Sequence, residues 1–354
     1  MESGRRTEDV TSLVSEAPAS VTLSYDEAIQ LSRQILTHHG YSADHADAIT
    51  RNVVTVQMDD GHSHGLYRLL SCIEMVRQKG VDPQAKPVIV GNEGSLIRVD
   101  AQRGNSLLAF EMGLPRLLDR ARQQGIAALS IHHAFHFSAL WTEVEAIAAE
   151  GLVGLAVTPT HPFVAPAGGT KPLLGTNPIA FAWPRPGDFP YAFDFATSMS
   201  ARGEIELHRR AGESIPPGWG LDAEGQPTTD PTEALAGAQL PFGDYKGSAL
   251  STMIELLAGP LIGDHLGHQT RPADGDPETR SDHGELIIAL SPQAWLGART
   301  DHYLAEAEKL FAGIEAQGAR LPSQRRFAAR QRNHEAGGMN IPLALYEDLR
   351  ALLD

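Results

Sequence analysis

Apolar residues recur at helical spacing near both ends of the chain and gather into short unbroken runs between them. Ser24-Tyr25-Asp26-Glu27 has the form of a capping box, so a helix is expected to run from there to the stop at His38-His39-Gly40. Ser42 and Asp44 open a second helix whose Ala46, Ile49, Val53 and Val56 share one face, ending near Met58. Runs rich in Ile, Leu and Val at 95–101 and 126–131 read as buried strands, with a helix at 106–124 between them. A helix to Glu150, strands at 153–157, 178–183 and 191–195, an apolar helix at 248–262, a strand at 285–290 and a helix at about 299–317 complete the pattern. Pro342 is placed to start the last helix, where its missing N–H costs nothing. Alternation of this kind predicts an α/β fold, and no internal repeat is visible.

Four segments break the pattern. The stretch 160–204 packs Gly and Pro around Gly168-Gly169-Thr170, Gly175-Thr176-Asn177-Pro178 and Asp194-Phe195-Ala196-Thr197-Ser198, and reads as the wall of a binding cleft. Residues 59–68 interrupt two helical patterns with a glycine-flanked cluster of ionisable groups, a setting in which chemistry often sits. Residues 264–284 lack periodicity and are expected to be a long mobile loop or a lid. Residues 320–326 form a compact basic loop.

Composition narrows the function. A chain of 354 residues suggests two compact units, and a net charge of −15 argues against general affinity for nucleic acid or anionic membranes. No apolar run approaches the length of a membrane span. A single cysteine, Cys72, excludes an internal disulfide and suits a reducing, cytoplasmic setting. Arg5-Arg6 is followed by acidic residues where a secretion signal needs an apolar core, so residues 1–21 are expected to be a floppy tail.

Neither GxGxxG nor GxxxxGK[ST] is present, so any dinucleotide is held by other means. The glycine-rich turns, Lys246, and Arg320, Arg325 and Arg326 are the candidate phosphate donors. Among 15 histidines, His62-x-His64 with His133 or His136 could ligate zinc as in a hydrolase, although HExxH and cysteine pairs are missing. Alternatively, Ser63 and His64 form a proton relay completed by a carboxylate such as Asp194 or Glu204. The residues alone leave these two readings level.

The segments GTNPIAFAWP, FDFATSMSARGE, IPPGWGLDAEGQPTTDP and PFGDYKGSAL resemble, in order and spacing, the malate/L-lactate dehydrogenase-like family of NAD(P)-dependent oxidoreductases. That resemblance runs from about Ser24 to the C-terminus. His62-Ser63-His64-Gly65, the run from His136 to Trp141 and Arg320-Leu321-Pro322 are most similar to its Δ1-piperideine-2-carboxylate/Δ1-pyrroline-2-carboxylate reductase branch. The resemblance implies NADPH-dependent reduction of cyclic imino acids to L-pipecolate and L-proline, with NADH as a possible donor. An open-chain 2-hydroxyacid dehydrogenase acting on malate, lactate or ureidoglycolate is the alternative.

The resemblance also implies residue roles. Ser63, His64 and an acid at Glu204, or Asp194, would form the relay, with His136 as the alternative proton-transfer group. Cofactor contacts would fall on Arg68; on His136, Phe137, Ser138, Ala139 and Leu140; on Asp194, Phe195 and Ala196; on Tyr245 and Lys246; and on Arg320, Leu321, Pro322, Ser323, Gln324, Arg325 and Arg326. Thr160 and Thr170, with His64, would meet the substrate, and no metal is implied. The chain departs from the common family pattern at Ser138, at Pro159-Thr160 and at Gly243-Asp244-Tyr245, the last placing an acid near a presumed phosphate site. The implied fold is non-Rossmann: a mixed, largely antiparallel sheet in a cofactor domain at 101–299, beside a helical domain of 22–100 with 300–354, assembled as a homodimer.

Overall fold

The computed structural model describes residues 20–187, 189–271 and 281–354. Most of the tail expected at 1–21 and the middle of the 264–284 loop therefore lie outside the described residues.

The N-terminal third begins with strand β1 (Ser20–Leu23), followed by helices α1 (Tyr25–His38), α2 (Ala43–Met58) and α3 (Arg68–Arg77). Ser24 caps α1 through the expected reciprocal bonds with Glu27. At the other end of the chain, β12 (Met339–Pro342) pairs antiparallel with β1 and leads into α12 (Leu343–Ala351). Leu31, Ile35, Ile49, Leu69, Ile73, Ile341 and Leu349 share one core, so both ends of the chain build the helical body. Each such side chain contributes about 1.5–3 kcal/mol by leaving water.

Strands β2 (Val88–Glu93) and β3 (Leu96–Asp100), helix α4 (Ser106–Gln124), β4 (Ile126–Ala134), helix α5 (Trp141–Ala149), β5 (Val153–Val157), β6 (Ile179–Trp183) and β7 (Tyr191–Phe195) follow. Helix α6 (Arg202–Ala211) then precedes a small sheet of β8 (Gly220–Leu221), β9 (Pro227–Thr228) and β10 (Ala238–Gln239), with α7 (Pro231–Ala236) inserted before β10. Last come α8 (Tyr245–Ala258), β11 (His283–Leu290), α9 (Pro292–Leu296), α10 (Thr300–Glu315) and α11 (Gln324–Glu335). The main sheet has seven strands in the order β2-β3-β4-β11-β5-β6-β7, and only β3–β4 is a parallel pair. The mixed, mostly antiparallel α/β architecture expected from the resemblance is therefore present. Helices α4 and α5 pack with the strands in one core, and Ile254 and Ala258 of α8 pack with Val157 and Leu286 in another.

Several boundaries differ from the sequence reading. Strand β2 was not anticipated because most of its residues are exposed; backbone pairing with β3 holds it, not burial. It also puts residues 88–100 in the sheet, not in the helical body. Helix α10 likewise lies against the sheet, with Phe311 stacked on Tyr191 at 5.1 Å. Helix α6 went unseen because Ile205 is its only buried residue. Helix α8 starts at Tyr245, ahead of the expected 248. Pro342 ends β12 and sits at the N-cap of α12. The basic loop at 320–326 is half helix, since 324–326 form the first turn of α11.

One buried ion network ties these parts together. Asp59, just after α2, has no exposed side-chain surface and accepts from Arg326 at 3.0 Å and from Arg330 at 2.7 Å. Both guanidiniums also reach Glu145 of α5. Removing one member of such a network strands the others without counter-charge. Asp59→Ala is expected to lower the unfolding free energy by about 3–5 kcal/mol. A denaturant melt showing a loss below about 1 kcal/mol would contradict that assignment.

Candidate active site

The link between α2 and α3 carries Ser63, His64 and Arg68. His64 Nδ1 lies 3.0 Å from Ser63 Oγ, and Arg68 donates to His64 Nε2 at 3.0 Å. Because a guanidinium only donates, Nε2 must be the acceptor and the proton sits on Nδ1, facing the serine. Burial, then the neighbouring Arg68 charge and then His136, hold His64 well below the usual imidazole range. His64 is thus neutral at pH 7 in the free protein, not poised near neutrality as the relay reading requires.

Arg68 is the more unusual member. Burial lowers its pKa, no acid forms an ion pair with it among the described residues, and its Nε has no hydrogen-bond partner. A desolvated cation without a counter-charge is costly unless an anion completes it. Beside it stands the start of α6, whose N-cap Ala201 has no capping side chain. A Cβ placed on Gly203 would lie 3.6 Å from Ser63 Cβ and 4.0 Å from an Arg68 nitrogen, so that helix end borders the same space. Glu204, the expected acidic partner, sits in the first turn of α6 but is exposed and makes no side-chain bond to Ser63 or His64.

The second half of the site gathers beyond the end of β4. His136 follows β4, and its Nε2 lies 3.2 Å from Ser138 Oγ and 3.7 Å from both Glu143 and Glu285. Ser138 Oγ donates to Glu143 Oε1 at 3.2 Å. The imidazoles of His136, His283 and His161 follow one another at 6.4 and 6.3 Å between centroids. Burial first, then His136, brings His283 down to about 4. Burial, His283 and Arg202 bring His161 down to about 3. Asp194 at the end of β7 accepts from the Trp141 backbone at 3.2 Å, and burial pushes it up to about 7 against that hydrogen bond. It does not hydrogen-bond to His64.

The segments matched to cofactor contacts converge on β7. Asp194 ties 136–141 to it, Phe195 meets Phe242 at 5.8 Å ahead of Tyr245-Lys246, and Ser323 donates to the Ala192 carbonyl. Within this group Arg326 is committed to Asp59 and Glu145 and lies 4.4 Å above the Trp141 ring, so it is not a free phosphate fork. Lys246, Arg320 and Arg325 are exposed, and no salt bridge engages them among the described residues. Those cations suit the phosphates of a dinucleotide where no Rossmann turn exists.

The motif Gly175-Thr176-Asn177-Pro178 proves architectural. Asn177 is fully buried at φ 32°, donates to Ser251 Oγ and Glu255 Oε1 at 2.8 Å, and accepts from Thr160 N at 2.9 Å. Gly175 is required there, since a Cβ would sit 2.2 Å from Asn177 Oδ1. Thr160 spends its hydroxyl on Thr176, and Thr170 is exposed and packed toward Gly225. Neither threonine hydrogen-bonds to the His64 cluster, and no substrate contact follows from their positions.

The zinc reading also fails to gather its ligands. Among the described residues the convergent His/Cys/Asp/Glu group is His136 with Glu143 and Glu285, not His62, His64 and His133. His62 bonds Gln57, and His133 pairs with Asp100. Glu143, Glu285, His283 and Arg202 were missed by the sequence reading. The available signal was a carboxylate inside an apolar run, in WTEVEAIAA and again in GELIIAL.

Comparison with known proteins identifies the family. The family model described as malate/L-lactate dehydrogenase matches residues 23–350. The chain is 55% identical over 341 residues to Delta(1)-pyrroline-2-carboxylate reductase 1 of Burkholderia ambifaria, covering 96% of this chain and 100% of that protein. It is 52% identical over 334 residues to the Delta(1)-pyrroline-2-carboxylate/Delta(1)-piperideine-2-carboxylate reductase of Pseudomonas aeruginosa, covering 94% and 100%. The crystal structure of delta1-piperideine-2-carboxylate reductase from Pseudomonas syringae pvar. tomato superposes with a TM-score of 0.87 at 38% identity, covering 94% of this chain and 99% of that one. The chain therefore belongs to the malate/L-lactate dehydrogenase family of oxidoreductases.

Proposed function

We propose that the protein reduces cyclic 2-imino acids, Δ1-pyrroline-2-carboxylate and Δ1-piperideine-2-carboxylate, with NADPH as donor. The observation that carries this reading is the unpaired, buried Arg68 beside His64 and Ser63. A planar guanidinium with free donors is matched to a carboxylate, and the uncapped start of α6 adds a second source of positive potential. The resemblance gives Arg68 to the cofactor, whereas its surroundings fit the substrate's carboxylate better.

A bound nicotinamide supplies the hydrogen and bonding pair that the imine carbon receives. The chain must hold the imine, exclude water and protonate its nitrogen. Arg68 and the α6 terminus fix the carboxylate and so choose the face that is reduced. His64 orients Arg68 through Nε2 and is itself oriented by Ser63. His136 is the better proton donor, because its Nε2 faces acids while its Nδ1 has no partner and is not among the enclosed atoms. Lys246, Arg320 and Arg325 would take the phosphates, with the extra phosphate of NADPH at 320–325.

The same carboxylate and proton arrangement serves a 2-oxo acid, so pyruvate and oxaloacetate belong in the same assay. Turnover confined to the 2-oxo acids would replace the imine reading with that of a 2-hydroxyacid dehydrogenase. The second partner is another copy of this chain. Tyr245, Met253 and Leu256 lie at helical spacing along α8 and, with Leu261, expose 37–67% of their surface.

His136→Asn is expected to cut kcat for both imines by about a hundredfold or more with little change in KM, while Arg68→Gln raises KM at least tenfold. Steady-state kinetics on folded variants decide, and unchanged constants would remove the assigned roles. Arg320→Ala with Arg325→Ala should raise KM for NADPH far more than for NADH; equal effects would end that assignment. Leu256→Asp should shift the sedimentation of a dimer toward monomer, and a wild-type monomer at micromolar concentration would contradict the self-association.

A further inference from the structure

Behind His136 lies a pair of carboxyl groups that the reaction above does not use. Glu143 comes from the buried face of α5 and Glu285 from the start of β11, and their side chains are 1% and 0% exposed. One oxygen of each lies within 4.8 Å of the other and of His136 Nε2. Glu143 Oε2 and both oxygens of Glu285 have no hydrogen-bond partner, and no Lys or Arg pairs with either acid among the described residues. We infer that Glu143 and Glu285 hold one proton between them and act as the proton reserve of the site, passing it through the imidazole of His136.

Two carboxylates this close in a dry pocket cannot both carry charge, as the Coulomb cost falls on a site that water does not screen. Burial, and then the presence of Glu143, push Glu285 well above the ordinary carboxylate range. The remaining charged or titratable neighbours do not relieve it. Asp194 adds a third acid beside Glu143, His283 and His64 are held neutral, and Arg326 is engaged by Asp59 and Glu145. Among the described residues the base facing the pair is His136 Nε2; the Ser138 hydroxyl lies 3.2 Å from both that nitrogen and Glu143, and with a proton held between the acids it turns its own proton to Nε2. Separations of 3.7 Å from His136 to each acid exceed the roughly 3.0–3.4 Å that ligands about 2.1 Å from a first-row cation would have, which favours a proton over a metal ion.

The consequence of this arrangement for turnover rests on the imine-reductase reading. His136 gives the proton on its Nδ1 to the imine nitrogen, whose carbon would receive the hydrogen and its bonding pair that a bound reduced nicotinamide would supply. Nε2 takes the proton held by the two acids, so the imidazole ends neutral in its other tautomer. The pair, left with two charges in a site that tolerates one, recovers a proton from solvent after the amine departs. Glu143 and Glu285 are therefore positioning residues that act through His136.

Infrared spectroscopy of the free enzyme tests the pair without any turnover. In the Asp194→Asn background, which removes the other raised acid, a protonated-carboxyl band is expected at pH 7 and is lost when Glu285→Gln is added. In steady-state kinetics, Glu285→Gln should lower kcat by about a hundredfold with KM nearly unchanged. Its kcat should also begin to fall at a pH lower by about one unit or more, because the reserve proton that the pair keeps above the ordinary carboxylate range is gone. Glu143→Gln serves the same purpose if Glu285→Gln does not fold. An Asp194→Asn enzyme without that band, an unchanged kcat–pH profile, or one equivalent of EDTA-removable divalent metal in the purified protein would each overturn the inference. Should the enzyme reduce no cyclic imine, the functional reading falls and the infrared result still decides the state of the pair.

Discussion

Asp59 is the point on which the geometry of this protein turns. It lies one residue past the end of α2, and its carboxylate is shared by Arg326 and Arg330, which arrive from a helix more than 260 residues later. The same arginines hold Glu145 on α5, so one buried network joins the start of the 59–68 link, the C-terminal helix α11 and the helix carrying Glu143. Ser63, His64 and Arg68 follow within ten residues of that anchor. Ion networks of this kind add little net stability over apolar packing, but they fix register, because any displacement strands a charge in a dry place.

A second constraint is the position of β11. Although it is the last strand of the main sheet in sequence, it lies between β4 and β5 and pairs antiparallel with both. That insertion brings His283 and Glu285 beside the end of β4, where His136 emerges, and against α5, which presents Glu143. An edge strand would leave these acids in water with ordinary behaviour. Burial in the middle of the sheet makes them a group with its own proton inventory.

Much of the fold was legible in the residues, and the parts that were not share a physical cause. The capping box at Ser24, the apolar face of α2 and the Ile- and Val-rich runs of β3, β4 and β5 each contain a local signal strong enough to stand alone. Strands β2 and β12 and helix α6 owe their existence to partners distant in sequence, and no window of residues displays that. The site divides in the same way. Ser63, His64 and His136 were visible as polar residues flanked by loops. Arg326 was misjudged because a guanidinium reads the same whether a phosphate or a buried Asp59 meets it. Glu143 and Glu285 were invisible as a pair because 142 residues separate them.

Charge sets the division of labour across the cleft. On one side the chain buries a cation without an anion, Arg68; on the other it buries two acids without a cation, Glu143 and Glu285. Each arrangement is unfavourable alone, and no ion pair joins Arg68 to either acid among the described residues. On the proposed reading the two faults are treated differently: a substrate carboxylate would complete Arg68 on binding, whereas the acids would be left with an extra charge by proton transfer and would shed it by taking a proton from solvent. The uncompensated charge of Arg68 in the free protein would then itself be a source of selectivity, favouring a ligand that carries a carboxylate beside its reducible carbon.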